Sequence, residues 1–180
     1  MDQLIKKCKK FDRKAQRLMV NHLSPMLYSI CMRYSKDQEH TKDLVQETLI
    51  KVFNNIEKCH ATEEAHFRGW CKRIAINTCL SKIRSAKPLS ENLEIVANYS
   101  NEQHSVLDHL SAEDILKLLD KIPERHKTVF NMFVIDGYNH REIAEVLNIK
   151  ESSSRTLLLR ARQALQGLIN LDENSLSLAK

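Results

Sequence analysis

Six positions in the whole chain hold a residue that breaks helices: Pro25, Gly69, Pro88, Pro123, Gly137 and Gly167. Glycine and proline are what tight turns are made from, the first through its access to positive φ and the second through its fixed φ. With three of each in 180 residues, the chain lacks the turns that a β-sandwich requires. Ordinary usage, about 7% glycine and 5% proline, would supply several times as many. The three glycines also stand alone, so neither G-x-G-x-x-G nor a P-loop can be built from them. What remains is an all-α chain of helices with short connections, in one domain or two small ones at this length.

The apolar pattern agrees. A basic amphipathic stretch runs from about Leu4 to Asn21, and a second helix is expected after Ser24-Pro25, where serine caps and proline takes the first helical position. A third spans about Thr41 to Ile56, with Leu44, Val45, Leu49, Val52, Phe53 and Ile56 on one face. A fourth follows Thr62 and carries Phe67, Trp70, Cys71, Ile74, Leu80 and Ile83. After Lys87-Pro88 the periodicity fades, and residues 91–112 hold four acids and no Lys or Arg, which reads as a flexible acidic linker. Regular spacing resumes at Ala112. A short helix ends before Pro123, a second covers Glu124–Asp136 and stops at Gly137, a third is His140–Leu147 behind an Asn139 cap, and a last one runs from Glu151 to about Leu171. The expected organisation is therefore a domain over 1–87, a linker over 88–111, a second domain over 112–171 and a tail over 172–180.

Charge divides along the same line. The net +5 is the sum of unlike halves: residues 1–90 carry 18 Lys and Arg against 9 Asp and Glu, residues 91–180 carry 10 against 14. A strongly basic half points to a polyanionic partner. Arg68, Lys72, Arg73, Lys82, Arg84 and Lys87 follow one another with no acid between, interleaved with Phe67, Trp70 and Asn77. Cations neutralise phosphates whatever the sequence, and aromatic rings beside them stack unpaired bases. In the second half, Tyr138–Leu147, the break Asn148-Ile149-Lys150 and a basic helix have the layout of a helix-turn-helix, whose second helix enters the major groove. Ile143, Ala144, Leu147, Ile149, Ser154, Leu158, Ala161 and Leu165 have the spacing of its core. Ser152, Ser153, Arg155, Thr156, Leu159 and Arg160 fall on the outward face.

Nothing in the sequence points to an enzyme, a metal or a cofactor. The eight histidines are scattered without H-x-x-x-H or H-E-x-x-H spacing, and no nucleophile sits in a recognisable motif. The five cysteines are odd in number and contain no C-x-x-C, as expected of reduced, packed thiols in a cytoplasmic protein. No apolar run reaches the ~18 residues of a membrane span, so no membrane insertion is expected.

Taken in order, D43-L-V-Q-E-T-L-I-K-V-F53, F67-R-G-W-C-K-R-I-A-I-N77, L119-D-K-I-P123, D136-G-Y-N-H-R-E-I-A-E-V-L147 and R160-A-R162 make the chain resemble a bacterial RNA polymerase sigma factor of the extracytoplasmic-function (ECF) group. The resemblance implies a region 2-like helical bundle and a region 4-like helix-turn-helix joined by the linker. It implies that Asp43, Gln46 and Glu47 bind the β′ clamp of core RNA polymerase, and that the β subunit is also contacted. It assigns Phe67, Arg68, Trp70, Lys72, Arg73, Asn77 and Arg84 to melting and capture of the −10 promoter element, with residues 59–65 forming the loop that receives a flipped base. Ser153, Arg155, Thr156, Leu159 and Arg160 would read the −35 element. The linker would thread the electropositive channels of the enzyme, an anti-sigma factor would hold the protein silent, and the protein itself would be monomeric. Two departures stand out: Ser81 where an acid is common, and Ser152-Ser153-Ser154-Arg155-Thr156-Leu157 where Gly-Thr-Val-Lys-Ser-Arg is common, a change that bears on which −35 sequence is read. The residues alone leave two rivals: a stand-alone helix-turn-helix regulator with a helical sensor or dimerisation domain, and a helical adaptor that binds only protein.

Overall fold

The computed structural model describes residues 2–35, 37–61, 63–86 and 112–177. The regular elements among them are all helical, as the scarcity of turn residues requires, and they pack into two units, Met1–Pro88 and Leu89–Lys180. The expected acidic linker over 88–111 lies outside the described residues.

The first unit begins with a short helix, α1 (Asp2–Lys9), which buries Ile5 and Cys8. The basic periodicity predicts one helix from Leu4 to Asn21, but the chain breaks at Phe11, whose backbone is left-handed at φ 58°. Asp12 is the cause. Its carboxylate accepts hydrogen bonds from the backbone N–H groups of Lys14 (2.9 Å) and Ala15 (3.0 Å), which makes it the N-cap of a new helix, α2 (Arg13–Tyr34).

Ser24-Pro25 does not start a helix, contrary to the sequence expectation. Pro25 lies inside α2, and Ser24 Oγ donates back to the Val20 carbonyl at 2.7 Å. A proline at this depth costs about 3 kcal/mol. Met19 and Leu23 before it, and Leu27, Ile30 and Cys31 after it, are nonetheless all buried on one continuous face. Two such aliphatic side chains, at about 1.5–3 kcal/mol each, already match the penalty.

α3 (Gln38–Asn55) starts behind Asp37, which accepts from the His40 N–H at 2.7 Å, and it runs into a 3₁₀ turn at Ile56–Lys58. α4 (Glu64–Ala86) follows. Helices α2, α3 and α4 pack each against the other two, while α1 lies on α2 and on the 3₁₀ turn. The shared core holds Leu23, Leu27, Leu44, Val52, Phe67, Cys71, Ala75 and Leu80. The buried hydroxyls of Thr48 and Thr78 are satisfied by donating to the carbonyls of Leu44 and Ile74. All five cysteines are buried free thiols.

In the second unit α5 (Ala112–Leu119) precedes α6 (Glu124–Phe130), which opens after Pro123. The sequence predicts α6 as one helix to Asp136, whereas the α-helix widens to a π-turn over Asn131–Ile135, with the Asp136 N–H on the Asn131 carbonyl at 2.9 Å. Gly137 then takes φ 78°, and the Tyr138 N–H closes on the Met132 carbonyl at 2.9 Å. Helix α7 (His140–Leu147) has a full capping box, in which Asn139 Oδ1 accepts from the Glu142 N–H (2.9 Å) and the Glu142 carboxylate accepts from the Asn139 N–H (2.8 Å). It ends at left-handed Asn148, a residue that tolerates φ 53° better than most. The last helix, α8 (Glu151–Ser177), runs past Leu171 into the stretch expected to be a tail. Helices α5, α6 and α7 all pack on it.

Candidate nucleic-acid interface

The polar side of α3 presents Asp43, Gln46 and Glu47, at i, i+3 and i+4, on one face. Thr41, Leu44, Val45 and Thr48, buried on the opposite side, fix that orientation. Asp43 and Gln46 are exposed and Glu47 is half-buried. Glu47 is not a solitary acid. Its Oε1 meets Lys51 Nζ at 2.8 Å and its Oε2 meets Lys82 Nζ at 3.0 Å, and Lys51 Nζ donates on to Thr78 Oγ1 at 3.3 Å. The Lys51 hydrogen bond holds the Glu47 carboxyl below the usual carboxylate range, Lys82 adds to this, and partial burial opposes both. The network ties α3 to α4.

Along α4 the residues assigned to the −10 element separate into three groups. Trp70, Arg73, Asn77 and Arg84 recur at i, i+3, i+7 and i+14, a single outward stripe in which Trp70 is half-buried and the other three are exposed. Ser81, at i+11, completes it. No ion pair reaches Arg73 or Arg84 among the described residues, so both guanidinium groups are open to a phosphate. Arg68 and Lys72 lie around the helix from that stripe, and Arg68 approaches Glu64 at 3.8 Å. Glu64 also meets His22 Nε2 of α2 at 3.1 Å. Phe67 departs from the sequence expectation: it is 0% exposed. Its ring lies 5.9 Å from that of Trp70, tilted by 31°, so it supports Trp70 from the core. The reason is its position on α4, on the same side as Cys71, Ala75 and Thr78, all buried.

In the second unit the helix-turn-helix core is Ile143, Leu147, Ser154, Leu158, Ala161 and Leu165, all buried, with Ala144 and Ile149 half-buried. Arg155, Thr156 and Leu159 point outward, Leu159 at 48% exposure despite being apolar, while Ser153 and Arg160 are half-buried. Arg155 pairs with Glu151 one turn earlier. The angle between α7 and α8 is braced by His140, whose Nδ1 hydrogen-bonds with the buried Ser154 Oγ at 3.0 Å. The same ring stacks on Phe133 of the π-turn, with centroids 4.4 Å apart. Desolvation, then Arg155, pushes the His140 pKa down, with Arg162 adding to this and Glu151 opposing. His126 of α6 is lowered in the same way, by desolvation first and then by Arg160 and Arg125.

Helical spacing predicts Lys51 as the i, i+4 partner of Glu47, but sequence reasoning missed the Lys82 arm that ties Glu47 to α4, the place of Ser81 on the outward stripe, and the His140 brace. Helical spacing from Trp70 could have found Ser81. The others join residues far apart in the chain, and no local pattern signals them. No group of three or more His, Cys, Asp or Glu that could hold a metal ion occurs among the described residues, and none of their helices is long and apolar enough to cross a membrane.

Comparison with known proteins bears on both units. Residues 19–88 match the family model for sigma-70 region 2, and residues 112–165 match that for sigma-70 region 4. The ECF RNA polymerase sigma factor SigW of Bacillus subtilis is 28% identical over 175 residues, covering 90% of this chain and 92% of the relative. The ECF RNA polymerase sigma-E factor of Haemophilus influenzae is 25% identical over 180 residues, covering 92% and 93%. Among solved structures, CnrH in complex with the cytosolic domain of CnrY has a TM-score of 0.50 at 18% identity, covering 95% of this chain and 97% of that one. The sigma factor RpoE in complex with the anti-sigma factor NepR from Bartonella quintana also has a TM-score of 0.50 at 18% identity, covering 87% and 97%. At that identity the likeness is one of fold.

Proposed function

Because the chain belongs to the ECF group of the sigma-70 family and directs promoter-specific transcription initiation, we propose that three of its surfaces divide that work. The Asp43, Gln46, Glu47 face of α3 docks on the β′ clamp of core RNA polymerase. The Trp70, Arg73, Asn77, Arg84 stripe of α4 takes the melted −10 strand, while Arg68 and Lys72, on another side of the helix, meet phosphates away from that stripe. The Ser153, Arg155, Thr156, Leu159, Arg160 face of α8 enters the major groove at the −35 element. The region 2-like domain spans 1–87, the linker 88–111 and the region 4-like domain 112–171.

One observation carries this reading. Of the residues the family motifs mark, Asp43, Gln46, Arg73, Asn77, Arg84, Arg155, Thr156 and Leu159 are exposed, while Leu44, Val45, Cys71, Ala75, Leu158 and Ala161 of the same helices are buried. Chemistry suits each surface to its task. An indole beside guanidinium groups stacks a base while its phosphate is neutralised. Arginine on a helix in the major groove reads guanine with two hydrogen bonds, and a projecting leucine meets a thymine methyl. Phe67 serves by positioning Trp70. The protein acts in the cytoplasm as a monomer, without catalytic activity of its own. An anti-sigma factor silences it by covering these faces, a reading supported by the two solved relatives in fold, one held by the anti-sigma factor NepR and one by the cytosolic domain of CnrY. A stand-alone operator-binding regulator is disfavoured by the match to two sigma regions in their family order.

The docking face is tested by Asp43→Lys together with Glu47→Gln. Neutralising Glu47 avoids crowding a third cation against Lys51 and Lys82, and exposed ion pairs of this kind contribute only about 0–1 kcal/mol to stability. Core affinity is expected to fall at least about tenfold, the scale of losing charged hydrogen bonds across an interface, while circular dichroism and melting temperature stay near wild type. Unchanged core affinity contradicts the assignment.

A further inference from the structure

A hydrogen bond joins side chain to backbone across 50 positions of sequence in the first unit: Lys9 Nζ, on α1, donates to the Cys59 carbonyl at 2.7 Å, partly buried. The other lysines of α1 and its end behave differently. Lys6 pairs with Asp2 on its own helix at 2.7 Å, and Lys6, Lys7 and Lys10 are exposed. Lys9 alone among them is half-buried and aimed at another element. Ile5 and Cys8, at 2% and 0% exposure, seat α1 firmly enough to hold that side chain in place, against α2 and the 3₁₀ turn Ile56–Lys58.

Cys59 is where the 3₁₀ turn gives way to the loop leading into α4. Three contacts fix it. Its N–H donates to the Ile56 carbonyl at 3.1 Å, its side chain is buried at 3% exposure, and its carbonyl carries the Lys9 ammonium. Because the peptide unit is planar, holding the Cys59 carbonyl also sets the direction of the His60 N–H and hence the course on which the loop departs. The other end is fixed by the Phe67 N–H on the Glu63 carbonyl at 3.0 Å. Between these anchors His60 and Glu63 are exposed and Ala61 is half-buried.

We propose that Lys9 is a positioning residue for promoter melting: from α1 it clamps the Cys59 carbonyl and so sets the direction in which the chain leaves Cys59 toward the loop that receives the flipped −10 base. The proposal rests on reading residues 59–65 as that loop. It gives α1, which precedes the stretch matched to sigma-70 region 2, a task in initiation beyond adding to the core.

The test uses holoenzyme reconstituted from core polymerase and the full chain, on a promoter selected from a randomised library by the wild-type holoenzyme. Permanganate reactivity of −10 thymines reports the melted fraction. Lys9→Met keeps the aliphatic stem and removes the donor, Lys9→Arg keeps a cationic donor, Lys10→Met controls for charge next door, and Trp70→Ala tests the site itself. K9M is expected to lower melting roughly threefold to tenfold, the range for losing one partly exposed charge-assisted hydrogen bond. K9R recovers most of it, K10M melts as wild type, core affinity of K9M is unchanged, and its melting temperature falls by only a few degrees, leaving the chain folded at the assay temperature. Melting by K9M at the wild-type level, with W70A defective, overturns the proposal and leaves the −10 site standing. Normal melting by both K9M and W70A overturns the site and the proposal together. A K9M defect that K9R fails to recover, that K10M shares, or that accompanies an equal loss of core affinity or unfolding at the assay temperature assigns Lys9 a structural or general electrostatic part and also overturns it.

Discussion

Phe11 holds its backbone at φ 58° with 67% of its side-chain-bearing surface open to solvent. A left-handed conformation costs an L-residue with a side chain roughly 1–2 kcal/mol, and an exposed ring returns little through packing. Glycine would remove the strain at an entropic cost of about 0.5–1 kcal/mol. Phe11→Gly is therefore expected to stabilise the first unit slightly, by up to about 1 kcal/mol, or a few degrees in melting temperature for a domain of this size. Thermal unfolding of the variant checks it, and a lower melting temperature would show that the ring holds something in place. His140 gives a second residue-scale expectation. Its folded pKa, like that of His126, is lowered by desolvation and by nearby arginines, so below about 6.5 the unfolded chain binds more protons than the folded one. The stability contributed by these neutral imidazoles is fully present above that pH and is lost as pH falls through it toward the folded values. Denaturant melts of the second unit at pH 7.5 and pH 5.5 should show the loss, and the double variant H126Q/H140Q should flatten it.

At the scale of elements, capping decides where helices begin. Asn139 and Glu142 satisfy two backbone N–H groups at the start of α7, and Asn139→Ala should cost about 1 kcal/mol of stability in the second unit, measured by urea denaturation. Helix α7 was legible because its cap, its apolar spacing and its stop at Asn148 all lie within ten residues. The stripe Trp70, Arg73, Asn77 and Arg84 was legible as a cationic cluster, though its separation from Arg68 and Lys72 emerges only once the turn of α4 places them on different sides. Where the sequence misled, a local signal was overruled by packing. Ser24-Pro25 has the form of a helix start, but Leu23 and Leu27 bury on one face and carry α2 straight through it. Asp12, one acid in a basic stretch, was the unread signal for the break before α2. The Lys9–Cys59 clamp and the Glu47–Lys82 bridge depend on tertiary contact and leave no periodic trace.

For the whole molecule, in the proposed reading, each of two small units meets promoter DNA through only a few cations, Arg73 and Arg84 in the first and Arg155 and Arg160 in the second. Selectivity then comes from holding both on one polymerase, where the second contact forms at the high effective concentration set by the first. Each phosphate neutralised by Arg73, Arg84 or the cations of α8 adds roughly one unit to the salt dependence of promoter binding, so the complex is most selective where salt weakens each unit alone. Division of labour between α3, α4 and α8 is the central claim. It is tested most directly by run-off transcription on a promoter selected by the wild-type holoenzyme, with and without core polymerase, for the wild-type chain and the D43K/E47Q variant. The account predicts transcripts only from wild-type chain plus core, with the variant reduced at least about tenfold in step with its core affinity. Wild-type transcript levels from the variant, or specific binding of duplex promoter by the chain without core, would contradict it.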